Sequence, residues 1–120
     1  MADRVLFNSW GQVVRGREER ALEVFNEVLG FYGRLQEEGR IERFDVVLLE
    51  PNGDLGGYIE LHGSMEQLAA LQGDEEFRRL IVDGQLVVDD FRMIAGSTNE
   101  GVAREIAMYQ EAIAKVPQGA

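Results

Sequence analysis

Five side chains able to do chemistry fall on two segments whose positions would ordinarily be apolar. Asn8 and Trp10 share one parity of the stretch Val5–Val13, and Tyr58, Glu60 and His62 share one parity of Gly57–Gly63. Both stretches read as central strands of a sheet, where a buried polar group without a partner costs free energy. Polar groups converging there predict a lined cavity. Glu60 is expected across from Asp45, and like charges so placed raise one pKa, which suits general acid or base work. Glu60 and His62 are therefore the candidate catalytic pair. Asn8 and Tyr58 are expected to orient a carbonyl group, Trp10 to form the wall, and Arg92 on the last strand to complete the substrate-binding set. The competing reading is an ion-pair network in which Arg43 and Arg92 neutralise Asp45 and Glu60.

Other chemistries have less behind them. His62 is the only histidine, so a metal site would have to combine it with Glu60 or Asp45. A metal needs several convergent ligands, and no metal is expected. Gly53, Gly56 and Gly57 lie on a hairpin and do not open a helix, so they form no phosphate loop. Ser9, His62 and an aspartate lack a nucleophile elbow and an oxyanion hole. No cofactor is expected.

The composition narrows the partners. The 120 residues suit one domain, with residues 1–116 as its body and 117–120 as a flexible tail. Hydrophobic residues make up 45%, an ordinary globular share. With 22 acidic and 12 basic side chains the formal charge is −10. That balance argues against nucleic acid and against an anionic membrane surface, both of which call for basic patches. The absence of cysteine excludes disulfides and fits a reducing cytoplasm. The start Met1-Ala2-Asp3-Arg4 carries no secretory pattern, and no apolar run approaches the roughly 20 residues needed to cross a bilayer. A cytoplasmic location is expected.

The elements that must position these residues follow from period and punctuation. Val5–Val13 is a strand. Arg17–Glu38 is a long amphipathic helix with Ala21, Phe25, Val28, Tyr32 and Leu35 on its apolar stripe and Leu22 and Leu29 widening it. Gly30 and Gly33 inside it are expected to allow close packing or to mark a kink. Phe44–Glu50 and Gly57–Gly63 are strands around Pro51-Asn52-Gly53-Asp54, a strong hairpin signal. Centred there, the hairpin pairs Val47 with Tyr58 and Phe44 with Leu61. One side then carries Phe44, Val46, Leu48, Ile59 and Leu61, and the other Asp45, Val47, Leu49, Tyr58, Glu60 and His62. Ser64-Met65-Glu66-Gln67 is a capping box. The helix it opens breaks near Gly73 and resumes over Asp74–Val82. Gly84–Val88 reads either as a further helical turn or as an early strand. Phe91–Ala95 is the fourth strand. Ser97-Thr98-Asn99-Glu100 resembles a second capping box, opening a helix to about Lys115 with Val102, Ile106, Tyr109 and Ile113 on one face.

The order β-α-β-β-α-β-α, with right-handed crossovers, gives an α+β fold: a four-stranded antiparallel sheet ordered 4-1-3-2 with helices on one face, the ferredoxin-like arrangement. Two helices cover only one side. The bare side would expose Val47, Leu49, Tyr58, Ile94 and Trp10, a patch unusual on a monomer. A second copy closing over it is the expected solution, and the last helix would brace the partner or close the sheet edge. The alternative is that this helix folds back over its own bare side.

The chain resembles the dimeric α/β-barrel superfamily. The likeness is carried by Val5–Val13 with Gly16-Arg17-Glu18-Glu19, by Phe44-Asp45-Val46-Val47-Leu48-Leu49-Glu50, and by Asp74-Glu75-Glu76-Phe77-Arg78-Arg79-Leu80 leading into Val87-Val88-Asp89-Asp90-Phe91. It covers nearly the whole chain as a pattern of elements. Members include small cofactor-free monooxygenases, haem-degrading enzymes, dehalogenating and isomerising enzymes, and proteins with no known activity. The haem-degrading members pair a strand asparagine with a histidine and a tryptophan on the second helix. Asn8 matches the first, but no histidine lies between Ser64 and Asp83 and the sole tryptophan is on the first strand. The resemblance implies a homodimer holding a small aromatic or carbonyl compound, either a cofactor-independent oxygenase or isomerase, or a non-catalytic ligand-binding or structural module.

Overall fold

The structure is a computed structural model and describes residues 2–119. Four strands, β1 (Arg4–Trp10), β2 (Arg43–Leu48), β3 (Gly57–Gly63) and β4 (Arg92–Ser97), form one antiparallel sheet ordered β2-β3-β1-β4. The helices are α1 (Glu18–Glu37), α2 (Met65–Gln72), α3 (Glu75–Gln85) and α4 (Glu100–Ile113). Helices α1, α2 and α3 cover one face of the sheet. Their Phe31, Tyr32, Leu35, Leu68, Leu71 and Phe77 meet Leu6, Ile59 and Leu61 in a single core. This is the expected ferredoxin-like α+β architecture.

Local chemistry explains the boundaries. Ser64 caps α2 in a full capping box with Gln67, so two free backbone N–H groups find partners at once. Asp74 caps α3 by accepting from the Phe77 N–H at 3.0 Å. That bond first, and the Arg40 guanidinium at 2.7 Å second, hold the Asp74 carboxyl below its ordinary range. Its contribution is present above the unfolded carboxylate pKa and is lost as pH falls through the lowered folded value. The β2–β3 hairpin has the expected register, Val47 with Tyr58 and Phe44 with Leu61. Its loop is wider than a two-residue turn. The Asn52 amide gathers it instead, donating to the Glu50 and Leu55 carbonyls and accepting from the Asp54 and Leu55 N–H groups.

Three expectations are corrected. Helix α1 runs unbroken through Gly30 and Gly33, and a Cβ at either would meet nothing within 4 Å, so neither glycine serves close packing. The sequence Ser97–Glu100 is not a capping box. Asn99 adopts φ +52 without capping the helix, and its amide donates to the Ala2 carbonyl. Strand β1 ends at Trp10, and the chain beyond it pairs with the stretch after α3, through Gly11 N–H to Asp89 O at 2.8 Å and Val14 N–H to Val87 O at 2.9 Å. Gly84–Val88 is therefore both of its alternatives in sequence: α3 runs to Gln85, and Val88 then bridges Val13.

Helix α4 does not fold back over the bare face. It docks where the start of β1 meets the end of β4: Arg104 bonds Asp3, and Glu105 meets Arg4 at 3.7 Å and accepts from the Ser97 hydroxyl at 3.2 Å. Its predicted apolar face stays in solvent, with Ile106 52% and Tyr109 67% exposed. The radius of gyration is 17.1 Å, against roughly 13.5 Å expected for a compact chain of this length.

An alanine relieves a helix of glycine's backbone entropy cost. Gly30→Ala and Gly33→Ala are each expected to stabilise the fold by about 0.4–1 kcal/mol, read from urea midpoints. A destabilised variant at either position would mean that the glycine serves a contact after all.

Candidate functional site

The cavity lies on the helix side of the sheet, between the β1–β3 centre and helices α1 and α3. Its volume is about 430 Å³, within the usual range of about 300–1,000 Å³ for small-molecule sites. Val24, Phe25 and Val28 of α1, Leu80 and Ile81 of α3, and Ile59 of β3 give it apolar walls. Trp10 stands at one end, its ring 6.1 Å from that of Phe25 and edge-on to it. The indole rests on a floor of two glycines. A Cβ at Gly57 would come within 2.8 Å of the indole, and one at Gly56 within 2.3 Å of the Gly11 carbonyl.

The polar groups of this cavity are few and bonded. Asn8 is buried, 3% exposed. Its amide donates to the Leu6 carbonyl at 3.1 Å and accepts from the Tyr32 hydroxyl at 2.8 Å. Tyr32 is 1% exposed. Burial pushes its phenol well above the ordinary value, so it remains a neutral donor at every physiological pH. An amide has two N–H donors and two acceptor lone pairs. Asn8 therefore keeps one donor and one acceptor site beyond these bonds. Glu18, at the start of α1, is the one carboxylate on the lining, and it accepts from the Gly16 N–H.

The six expected site residues divide between the two faces of the sheet. In β1, Asn8 pairs with Ile59 and Met93, and Trp10 with Gly57, so both point toward the helices. Tyr58, Glu60 and His62 pair with Ser9, Phe7 and Val5, on the bare face. Arg92 pairs with Ser9 and belongs to that face too. The single cavity expected to join all of them is not formed within the chain. On the bare face the Phe7 and Tyr58 rings pack at 5.2 Å. Asp45 stands across from Glu60, as expected. The His62 Nε2 lies 3.3 Å from the Asp45 carboxylate and 3.5 Å from that of Glu60. Arg43 bonds Asp45, not Glu60.

Helical spacing alone places Tyr32 only on the packing stripe of the first helix. A signal existed: a buried tyrosine hydroxyl needs a partner, and Asn8 supplies the one amide on the inward parity of β1.

No protein-family model matches the chain, and no curated protein matches it. Solved structures do. A conserved protein from Methanosarcina mazei Go1 aligns at TM-score 0.62 with 12% identity, over 82% of this chain and 95% of its own. A dimeric protein of unknown function and ferredoxin-like fold from Bacteroides fragilis aligns at 0.59 with 11% identity, over 79% and 96%. SnoaB, a cofactor-independent oxygenase from Streptomyces nogalater, aligns at 0.58 with 14% identity, over 82% and 93%.

Removing the Asn8 acceptor leaves the Tyr32 hydroxyl buried and unpaired, which costs about 1–3 kcal/mol. Tyr32→Phe in the same background should recover part of that loss in a double-mutant cycle. Strictly additive unfolding energies would show that the bond carries no coupling. The two-faced sheet and its single helical layer are those of the ferredoxin-like fold, which the Bacteroides fragilis protein shares.

Proposed function

We propose that the helix-side cavity binds a small, largely apolar aromatic molecule carrying a carbonyl, and that the chain oxygenates it without a cofactor. The observation that carries this reading is a cavity of about 430 Å³ that is apolar except for the bonded pair Asn8–Tyr32 and a single carboxylate at Glu18. The remaining Asn8 N–H meets the carbonyl oxygen and strengthens its hold as negative charge develops there. A methylene conjugated with that carbonyl across the ring then loses its proton to water; Glu18 lies about 21 Å of helix rise from Tyr32 and is too distant to take it. The resulting carbanion supplies the electrons for dioxygen. The methylene becomes a carbonyl, one oxygen atom is retained there, and the other leaves as water. The likeness to SnoaB supports this choice of chemistry. Glu60 and His62 stand across the sheet from this cavity and take no part in it.

Trp10 is the only tryptophan, so its fluorescence reports the cavity directly. Anthrone, a three-ring ketone with an acidic methylene, is expected to quench it saturably and to draw one dioxygen per molecule consumed. Asn8→Ala should slow turnover by roughly 10²–10³-fold, the usual cost of one such donor. Gly84 lines the cavity, and a Cβ there meets nothing within 4 Å. Gly84→Phe should therefore fill the space and abolish the quench while the protein stays folded. An unaltered quench in Gly84→Phe would move the ligand elsewhere. Saturable quenching without oxygen uptake would favour the second reading, a ligand-binding module without catalysis.

The working unit in this reading is a homodimer closed over the bare face. Val5, Phe7, Val47, Tyr58 and Ile94 leave an apolar surface there, with Ile94 53% exposed, and the apolar side of α4 is open as well. The dimeric state of the Bacteroides fragilis neighbour supports this. Sedimentation at micromolar concentration is expected to give a dimer, and Ile94→Asp to weaken it at least about tenfold, as charge at an apolar interface centre does. A wild-type monomer under those conditions would remove the pairing.

A further inference from the structure

The structure assigns a second site to the bare face: Asp45, Glu60 and His62 form a binding site for a first-row divalent cation such as Zn2+. One ligand atom from each of the three lies within 4.8 Å of the others. Carboxylates gathered on a surface are common and mean little alone. The independent observation is His62 itself. Its side chain is only 7% exposed, and neither ring nitrogen has a hydrogen-bond partner among the described residues. A buried imidazole is ordinarily satisfied, and an unsatisfied one calls for an explanation.

The distances choose between two explanations. If His62 were an imidazolium bridging the acids, its N–H would approach a carboxylate oxygen to about 2.7–2.9 Å. Nε2 instead lies 3.3 Å from Asp45 and 3.5 Å from Glu60. Two ligands held about 2.0–2.1 Å from one tetrahedral ion stand roughly 3.3–3.4 Å apart. Both distances from Nε2 match that separation. The cross-strand register keeps it: Asp45 lies opposite Glu60, and His62 is two residues further along the same face of β3. Arg43 also reaches Asp45. A carboxylate offers about four lone-pair positions, so that bond and a metal bond coexist. One imidazole with two carboxylates suits Zn2+ or Mn2+ better than Mg2+ or Ca2+, which favour all-oxygen sites. A cation there also offsets the repulsion between Asp45 and Glu60, so binding should stabilise the fold by mass action.

The test is calorimetric titration of the chelator-treated full chain with ZnCl2, with thermal unfolding measured alongside. One Zn2+ per chain is expected, with a higher midpoint that EDTA reverses, and no comparable effect of MgCl2. His62→Ala and Glu60→Gln should each weaken Zn2+ binding by more than the roughly 10–100-fold that follows loss of an outer-shell partner. Glu60→Gln keeps size and shape at a half-exposed position, so it remains informative where His62→Ala fails to fold. Absence of saturable Zn2+ binding would overturn the site, as would unchanged affinity in Glu60→Gln. The readout does not involve the helix-side cavity, so either reading can fail alone.

Discussion

The Tyr32–Asn8 hydrogen bond ties the long helix to the central strand, and the rest of the arrangement depends on it. Both groups are buried, so breaking the pair costs more than making it gains. The bond fixes the depth at which α1 rides over the sheet at the residue where the cavity begins. On one side of Tyr32, beside the first turn of α3, the layers close, with Phe31, Tyr32 and Phe77 in ring contact. On the other side they part, and Phe25, Val28 and Trp10 line open space. The same contact therefore serves as the inner wall of the cavity and as the seam of the core.

Alternation does the remaining sorting. Strand β1 has neighbours on both sides, so each of its residues is committed to one face by two ladders at once. Asn8 and Trp10 go to the helices, and Val5, Phe7 and Ser9 to the bare side. A sheet one residue thick thus keeps two chemistries apart: an apolar chamber with a neutral amide beneath the helices, and a cluster of ionisable groups on the other face.

Much of the architecture was legible in the sequence because its signals were local. Asn52-Gly53 set the β2–β3 register, and with it the Asp45–Glu60 opposition and the shared face of Tyr58, Glu60 and His62. Ser64 and Asp74 marked their helices through capping chemistry. The site was legible only in halves. Nothing local fixes how β1 lies against β3, since those strands are joined by a helical crossover and not a turn. The parity of Asn8 and Trp10 could be read within their strand but not matched to that of Tyr58. For the same reason the hydrogen bond from Tyr32, 24 residues from Asn8, was out of reach. Gly30 and Gly33 misled because a glycine in a helix looks like a packing device whether or not anything approaches it.

The two glycines beneath Trp10 carry an implication for how this chamber acquires its size. Where the side chains of Gly56 and Gly57 would stand, the indole and a neighbouring backbone carbonyl already occupy the room. A single methyl group added at either position would press first on a backbone carbonyl, that of Gly11 or Val47, and then on the ring, so strand spacing and indole position are set together. The seat of the Trp10 ring, and with it one end of the chamber, is thus fixed from the hairpin's base.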